Sequence, residues 1–313
     1  MGDNLVSVVI LSYRRREALA QTLASVEMQT YRPREILVVD NGSGDDIEAF
    51  LRQNYPEVGL VPLRENVGTV ARNRGVLQAQ GALVVTLDND VSFDSPFELQ
   101  RVVGAFERIP EADCIAFKVL DASGQRLHTR DWCHPRSYER YQDSEFETPY
   151  ITEGASAFRR ERFMQVGGYY EPLFIGHEGW DLALRLLDRG GHIFYSSAVR
   201  VRHAALKDAT RGNSRPYYYY TRNYFWVAGR NYPFLSAIPF LVKYLTMMTF
   251  FAIRVGHAGA FLHGIWDGII GLPRIWHTRK PFSKTTSKRI RAMSSERPGL
   301  LAVWRRHRHQ PQI

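Results

Sequence analysis

Short apolar runs rich in β-branched residues recur along the first two thirds of the chain, and stretches of helical periodicity separate them. Leu5–Tyr13 reads as a buried strand, and Arg14–Gln29 as a helix with Leu19, Leu23 and Val26 on one face. Glu35–Asp40 is a second strand, Ile47–Gln53 a short helix and Val58–Leu63 a third strand. A further helix opens at Asn66 and runs through Ala79. Then comes the run Ala82–Leu87, which is too short for a helix and ends in Asp88-Asn89-Asp90. Strand and helix in alternation predict an α/β fold: a mostly parallel sheet flanked by helices, with ligands at the carboxyl ends of the strands.

The pattern continues less regularly. Pro96–Ile109 predicts a helix and Cys114–Leu120 a strand, whereas Asp121–Tyr150 has little periodicity and reads as a loop or small subsheet. Ile151–Phe158 is strand-like, and Arg159–Gly168 is a short helix with a glycine stop. The next helix carries Leu182, Leu186 and Leu187 inward, and His192–Val201 is a strand leading to Arg202-His203. Beyond it the character changes. Tyr217–Trp226 is strongly aromatic, Leu235–Ile253 is apolar but interrupted by Pro239 and Lys243, and Phe261–Leu272 is a second apolar segment. The expected organisation is a catalytic domain over 1–210, with a nucleotide-binding part of about 1–95 and an acceptor part of about 96–210. A helical, aromatic and basic region follows over 211–313.

Composition narrows the class. An apolar content of 44% over 313 residues excludes general disorder. The two cysteines, Cys114 and Cys133, form no CxxC pattern, which points to a reducing compartment and no thiolate metal site. No signal-peptide pattern precedes the first strand. Eleven of the 41 basic residues lie from Arg274 onward, against the single acid Glu296, so the net charge of +9 belongs to the tail. A polybasic tail seeks an anionic surface. The apolar segments beside it favour phospholipid over nucleic acid, which is not an expected partner.

The chemistry gathers at strand ends. Side chains alternate along a strand, so Asp88 and Asp90 point the same way. Two carboxylates side by side repel unless a cation lies between them, and Mg²⁺ or Mn²⁺ suits oxygen ligands that also meet a diphosphate. Alone, such a tripeptide is more often a polar turn. Here Ser12, Tyr13 and Asp40 also end strands of the same sheet, where a ring can stack on a base and a carboxylate can accept from a base or ribose. Arg72 and Arg74 lie near a helix N-terminus that could meet a diphosphate. No GxxxxGK[ST] or GxGxxG sequence occurs, so metal and arginine rather than a glycine-rich loop must hold any diphosphate. Glu178 and Asp181 stand in the first turn of their helix, where a carboxylate is either a cap or a reactive group. His203 at a strand end is a further candidate metal ligand.

The segments Val6–Tyr13, Leu37–Ser43, Asn66-Val-Gly with Ala71–Gly75, Leu87–Asp90, Gly154–Arg160 and Gly176–Arg185 occur in an order that resembles family 2 glycosyltransferases with the GT-A fold. The resemblance covers roughly residues 5–205. It implies inverting transfer of a hexosyl or deoxyhexosyl group from a nucleotide-diphosphate sugar. Ser12, Tyr13, Asp40, Asn66, Arg72, Asp88 and Asn89 would then serve the donor. Asp88, Asp90 and His203 would hold Mg²⁺ or Mn²⁺. One position departs: the family commonly has Glu-Asp at the start of the late helix, the second residue often being the base, and here that residue is Gly179. The resemblance leaves Glu178 or Asp181 for the role, Glu178 being favoured.

Family members with this kind of tail often build bacterial surface polysaccharides, some transferring rhamnose. UDP- or dTDP-sugars, dTDP-rhamnose among them, are therefore the expected donors, and a glycan or lipid-linked molecule is the expected acceptor. The expected location is cytoplasmic, peripheral on the inner face of the membrane, with the C-terminal helices also offering a surface for a homo-oligomer. Two other classes stay open. A nucleotidyltransferase also pairs carboxylates on such a sheet, although Ser12–Arg16 lacks the glycine its first loop needs; a non-catalytic scaffold would accommodate Gly179.

Overall fold

The computed structural model describes residues 5–44, 46–204 and 213–296. The chain opens with β1 (Val6–Ser12), α1 (Arg16–Glu27), β2 (Arg34–Asp40), α2 (Ile47–Asn54) and β3 (Gly59–Pro62). The segment opening at Asn66 begins as a 3₁₀ turn, Thr69–Ala71, before α3 (Arg72–Gln78). Then follow β4 (Leu83–Asp88), β5 (Val91–Phe93), α4 (Glu98–Arg108), β6 (Ala112–Asp121), α5 (Tyr138–Tyr141) and β7 (Glu145–Glu147). β8 (Ala155–Arg159), α6 (Arg160–Gln165), α7 (Glu178–Asp188) and β9 (His192–His203) complete the sheet region. Five helices come last: α8 (Arg215–Asn231), α9 (Phe234–Arg254), α10 (Ala258–Ile270), α11 (Leu272–Trp276) and α12 (Lys284–Met293).

One sheet runs β3-β2-β1-β4-β8-β6-β9-β5, with β7 also pairing β9. The four strands read first in the sequence are parallel, as their crossovers require. Beyond β4 the sheet is mixed, because β8 enters antiparallel between β4 and β6. The register sets Ser12 beside Asp40, and Leu11 beside Asp88. The polar strand ends therefore share one edge of the sheet.

β1 is buried along its whole length, and its alternation feeds two cores. Val6, Val8 and Ile10 pack with Leu19, Leu23 and Val26 of α1. Val9 and Leu11 face the other way, toward Val70 and Val76 and toward Leu182, Leu186 and Leu187 of α7. A third core joins Trp180 and Leu184 of α7 to the aromatic residues of α8 and α9.

The C-terminal helices are built onto the sheet region by polar contacts as well. Asn223 of α8 donates to the carbonyls of Leu173, Ile175 and Gly176 at 3.0, 2.9 and 2.7 Å. Arg222 donates to the Leu173 carbonyl at 2.7 Å. Of the basic tail, Arg297, Arg305, Arg306 and Arg308 lie outside the described residues.

Candidate active site

A cleft of about 540 Å³ opens at the carboxyl ends of β1 and β4. Its floor includes Leu11, Tyr13, Asn66, Thr69, Asp88 and Asp90, and its far wall includes Arg215, Tyr219 and Tyr220 of α8. After Ser12 the chain turns sharply, with Arg14 at φ 57° and Arg15 at φ 58°. Left-handed backbone at two successive non-glycine residues is costly and must be held in place. Ser43 Oγ accepts from the Arg14 amide at 2.8 Å, Asn89 Nδ2 donates to the Arg14 carbonyl at 3.0 Å, and Arg15 donates to Asp90 at 2.8 Å. Asn89 borders the cleft, and its side chain serves as this brace.

Asp88, the last residue of β4, and Asp90, in the turn that follows it, both line the cleft, as does Asn89 between them; the turn rather than strand alternation brings the two carboxylates together. Behind Asp88 lies Arg72, 0% exposed, which donates to Asp88 and sits 3.6 Å from Glu178. Glu178 is also 0% exposed, and its Oε1 accepts from Thr69. This buried row aims Asp88 from beneath. Arg72 is therefore no donor contact: its guanidinium is turned into the protein, away from the cleft. Arg74, on the outer face of α3, pairs with Glu171 at 3.2 Å instead. Gly154 lets the row close. At φ +68° it is a position for glycine, and a Cβ there would collide with the Asp88 carboxylate.

Burial and the charge of Asp88 both raise the pKa of Asp90, against the opposing pull of His203 and Arg15. Two carboxylates in that state fit a divalent cation. His203 Nε2 lies 3.7 Å from Asp90, while its Nδ1 lies 2.7 Å from Asp131. A carboxylate behind a histidine fixes the ring and leaves the outer nitrogen for a metal. Burial works against the imidazolium of His203, but its hydrogen bond to Asp131 and the charges of Asp131, Asp90 and Asp88 outweigh it and lift the pKa to about 9, so a cation bound at Nε2 would have to displace a proton. His128 reaches the same Asp131 at 2.9 Å, and His128, Asp131 and His203 together have the spacing of a cation site. His128 and Asp131 fall in the aperiodic stretch 121–150, where sequence reasoning had no signal to place them.

The other expected residues divide. Tyr13 lines the cleft. Asn66 borders it, and its carboxamide oxygen accepts from Asn41 at 3.0 Å and from the Gly68 amide at 2.8 Å. The Ser12 side chain is 0% exposed and lies beneath the cleft, so it is not a nucleoside contact. Asp40 accepts from the Ser43 amide at 3.2 Å and from its hydroxyl, which fixes the turn beside the cleft.

Asp181 is not placed to react. It is 0% exposed, and Arg185, Arg230 and Asn231 surround its carboxylate at 2.6, 2.6 and 2.7 Å. The two basic partners lie on α7 and α8, so Asp181 fastens those helices together. Burial opposes its charge, but Arg185 and Arg230 outweigh burial and lower its pKa. With the folded pKa below the unfolded one, this contribution is present above the ordinary carboxylate range and is lost as pH falls through the folded value. Asp181→Ala is expected to cost about 3 kcal/mol, since it strands two buried cations. Thermal unfolding would show the loss at neutral pH, with little difference from wild type once the medium is acidic enough to protonate Asp181.

Comparison with known proteins settles the family. The model of glycosyl transferase family 2 matches residues 7–167. The chain belongs to that family. This glycosyltransferase is 28% identical over 187 residues to the uncharacterized glycosyltransferase YwdF of Bacillus subtilis, covering 58% of this chain and 67% of the relative. It is 26% identical over 234 residues to the N-acetylglucosaminyl-diphospho-decaprenol L-rhamnosyltransferase of Mycobacterium tuberculosis, covering 64% and 76%. Its fold matches the mannosyltransferase PcManGT of Pyrobaculum calidifontis, solved with GDP-Man and Mn²⁺, at a TM-score of 0.56 and 16% identity, over 98% of this chain and 82% of that one. The glycosyltransferase thus has the GT-A architecture.

Proposed function

We propose that this glycosyltransferase carries out inverting transfer of a sugar, with dTDP-rhamnose a leading candidate, from a UDP- or dTDP-sugar to a hydroxyl of a lipid-linked or glycan acceptor. The observation that carries the reading is the cleft itself: Asp88 and Asp90 side by side where β4 ends, with His203 and Tyr13 lining the cleft beside them. The relative that acts on a diphospho-decaprenol acceptor supports a lipid-linked substrate. Asp88, Asp90 and His203 would hold Mg²⁺ or Mn²⁺, which would neutralise the charge on the departing diphosphate. Tyr13 offers a ring to the base, and Arg15 a cation at the cleft edge. Arg72 and Glu178 keep Asp88 aimed without touching substrate. The reading divides the chain near residue 210, with the region 211–313 completing the cleft and carrying the membrane contact.

The test of the donor site is a titration with UDP and dTDP, each with and without Mn²⁺. Metal-dependent binding of one of them is expected. Folded protein that binds neither would overturn the reading.

The apolar helices support a location on the inner membrane face. α9 is long and apolar enough to cross a bilayer, yet only 22% of its most apolar stretch is buried. Leu235, Val242 and Ile253 of α9 are exposed, as are Leu262, Trp266 and Ile270 of α10. Lys243 and Pro239 within α9 favour lying along the interface over spanning it. The double variant Leu235→Glu/Trp266→Glu is expected to weaken binding to vesicles containing phosphatidylglycerol by about tenfold or more. UDP or dTDP binding should be unchanged. Vesicle sedimentation decides it, and equal sedimentation of variant and wild type would remove the membrane from the reading. Gel filtration of the same variant also tests the alternative use of this surface, a homo-oligomer.

A further inference from the structure

The missing carboxylate at position 179 has a structural counterpart. A Cβ built on Gly179 would lie 2.6 Å from Cγ of Glu153 and 2.9 Å from its Oε1. The space that a residue-179 side chain would enter is already filled by a carboxylate from another element. Glu153 arrives from the segment that leads into β8, and its Oε1 accepts from the Gly179 amide at 2.8 Å. We infer that Glu153 is the catalytic base of this enzyme, supplying from the β8 side the carboxylate that the start of α7 lacks. The inference rests on the glycosyltransferase reading above.

Three further observations agree. Glu153 is partly exposed, whereas Glu178 and Asp181 are each 0% exposed with their carboxylates engaged by cations. A base must reach the proton it takes, and neither of those two can meet an acceptor without breaking the buried clusters. Secondly, Glu153 precedes Gly154, whose carbonyl accepts from the Asp88 amide at 3.3 Å and where a Cβ would collide with the Asp88 carboxylate. The base is thereby placed next to the metal-binding end of β4. Thirdly, after burial itself, the charge of Glu153 is the chief influence raising the pKa of Tyr220, a residue of the cleft wall. Burial and the charge of Glu178 also raise the pKa of Glu153 itself, the direction a base working near neutral pH needs.

The step balances within the site. The acceptor hydroxyl gives its proton to the Glu153 carboxylate as its oxygen forms a bond to the anomeric carbon. The bond from that carbon to the diphosphate oxygen breaks on the opposite face, and its electron pair leaves with the nucleoside diphosphate. The protonated carboxyl then returns the proton to solvent.

Four proteins are compared: wild type, Glu153→Gln, Glu153→Gly, and Glu153→Gly/Gly179→Asp. Each is measured for Mn²⁺-dependent binding of UDP and dTDP, and for nucleotide release from UDP- and dTDP-sugars in the presence of a polyprenyl-diphosphate N-acetylglucosamine acceptor. Glutamine retains an acceptor for the Gly179 amide, so Glu153→Gln is expected to fold and bind nucleotide as wild type does. Its nucleotide release is expected to fall by about 100-fold or more, through kcat rather than KM. The double variant puts a carboxylate into the vacated space from the helix, and it should recover at least about tenfold over Glu153→Gly. Release by Glu153→Gln close to wild type, or a double variant no better than Glu153→Gly, overturns the inference. So does a Glu153→Gln protein that has lost nucleotide binding, since that marks a structural role. Wild type that binds no nucleotide would instead overturn the glycosyltransferase reading.

Discussion

Arg72→Met is expected to melt well below wild type and to lose most of its metal-dependent affinity for nucleotide. The guanidinium is fully buried between Asp88 and Glu178. Taking away the cation leaves Glu178, itself fully buried, without its charge partner, and removing one member of a buried pair typically costs about 3–5 kcal/mol. Loss of the brace also frees the Asp88 carboxylate to turn out of the cleft, and partners behind metal ligands are typically worth about 10- to 100-fold in affinity. Arg72→Lys separates the two effects. It keeps the charge but not the planar fork, so it should recover stability more than nucleotide binding. A thermal melt and a UDP or dTDP titration with Mn²⁺ measure both. An Arg72→Met protein that binds nucleotide with Mn²⁺ as tightly as wild type would show that the buried row is not what aims Asp88.

Asp90→Asn is expected to behave in the opposite way, losing function while keeping the fold. Asp90 stands beside Asp88, and both burial and that neighbour oppose its charge. Its outward partners, Arg15 at 2.8 Å and His203 at 3.7 Å, are on the cleft side and only partly buried. Neutralising it should leave metal-free stability at or above that of wild type, because a carboxylate is held there for its ligand at some cost to the fold. Metal-dependent nucleotide binding should fall by about 100-fold or more, as a direct ligand is lost. Isothermal titration with Mn²⁺ and nucleotide is the measurement. Retained metal-dependent binding would place the cation elsewhere, with His128, Asp131 and His203 the next set to test.

Much of the donor half was legible because it depends on local pattern. The apolar runs and the helix faces carrying Leu19, Leu23 and Val26 are set by period, and register then aligns Asp40 with Ser12, and Asp88 with Leu11. What pattern could not supply was pairing across long separations. β8 inserts antiparallel between β4 and β6, its contacts with β4 joining residues about seventy apart, which no local window contains. Asp181 looked reactive because its partners Arg230 and Asn231 belong to a helix read only as aromatic. Arg72 looked like a diphosphate contact because a helix N-terminus suggests one, yet its side chain is drawn inward by Asp88 and Glu178. Glu153 had no signal of its own: only Gly179, seen in three dimensions, shows why that carboxylate matters.

The cleft wall supplied by α8 has a consequence for how this protein is made. The floor comes from residues 11–90 and the wall from 213–220, so the binding site joins parts of the chain that leave the ribosome far apart in time. A nascent chain that has not yet released α8 can pair its parallel strands but has only the floor of the cleft. The complete cleft is then a late-maturing feature, closed once α8 has docked through Asn223 on the 173–176 loop. In the finished protein, nucleotide at a hundred times its dissociation constant adds about 2.7 kcal/mol to whatever unfolds as one unit with the site. If sheet and C-terminal helices unfold together, the ligand protects both equally, and a protease should find the α9–α12 region as resistant as the sheet.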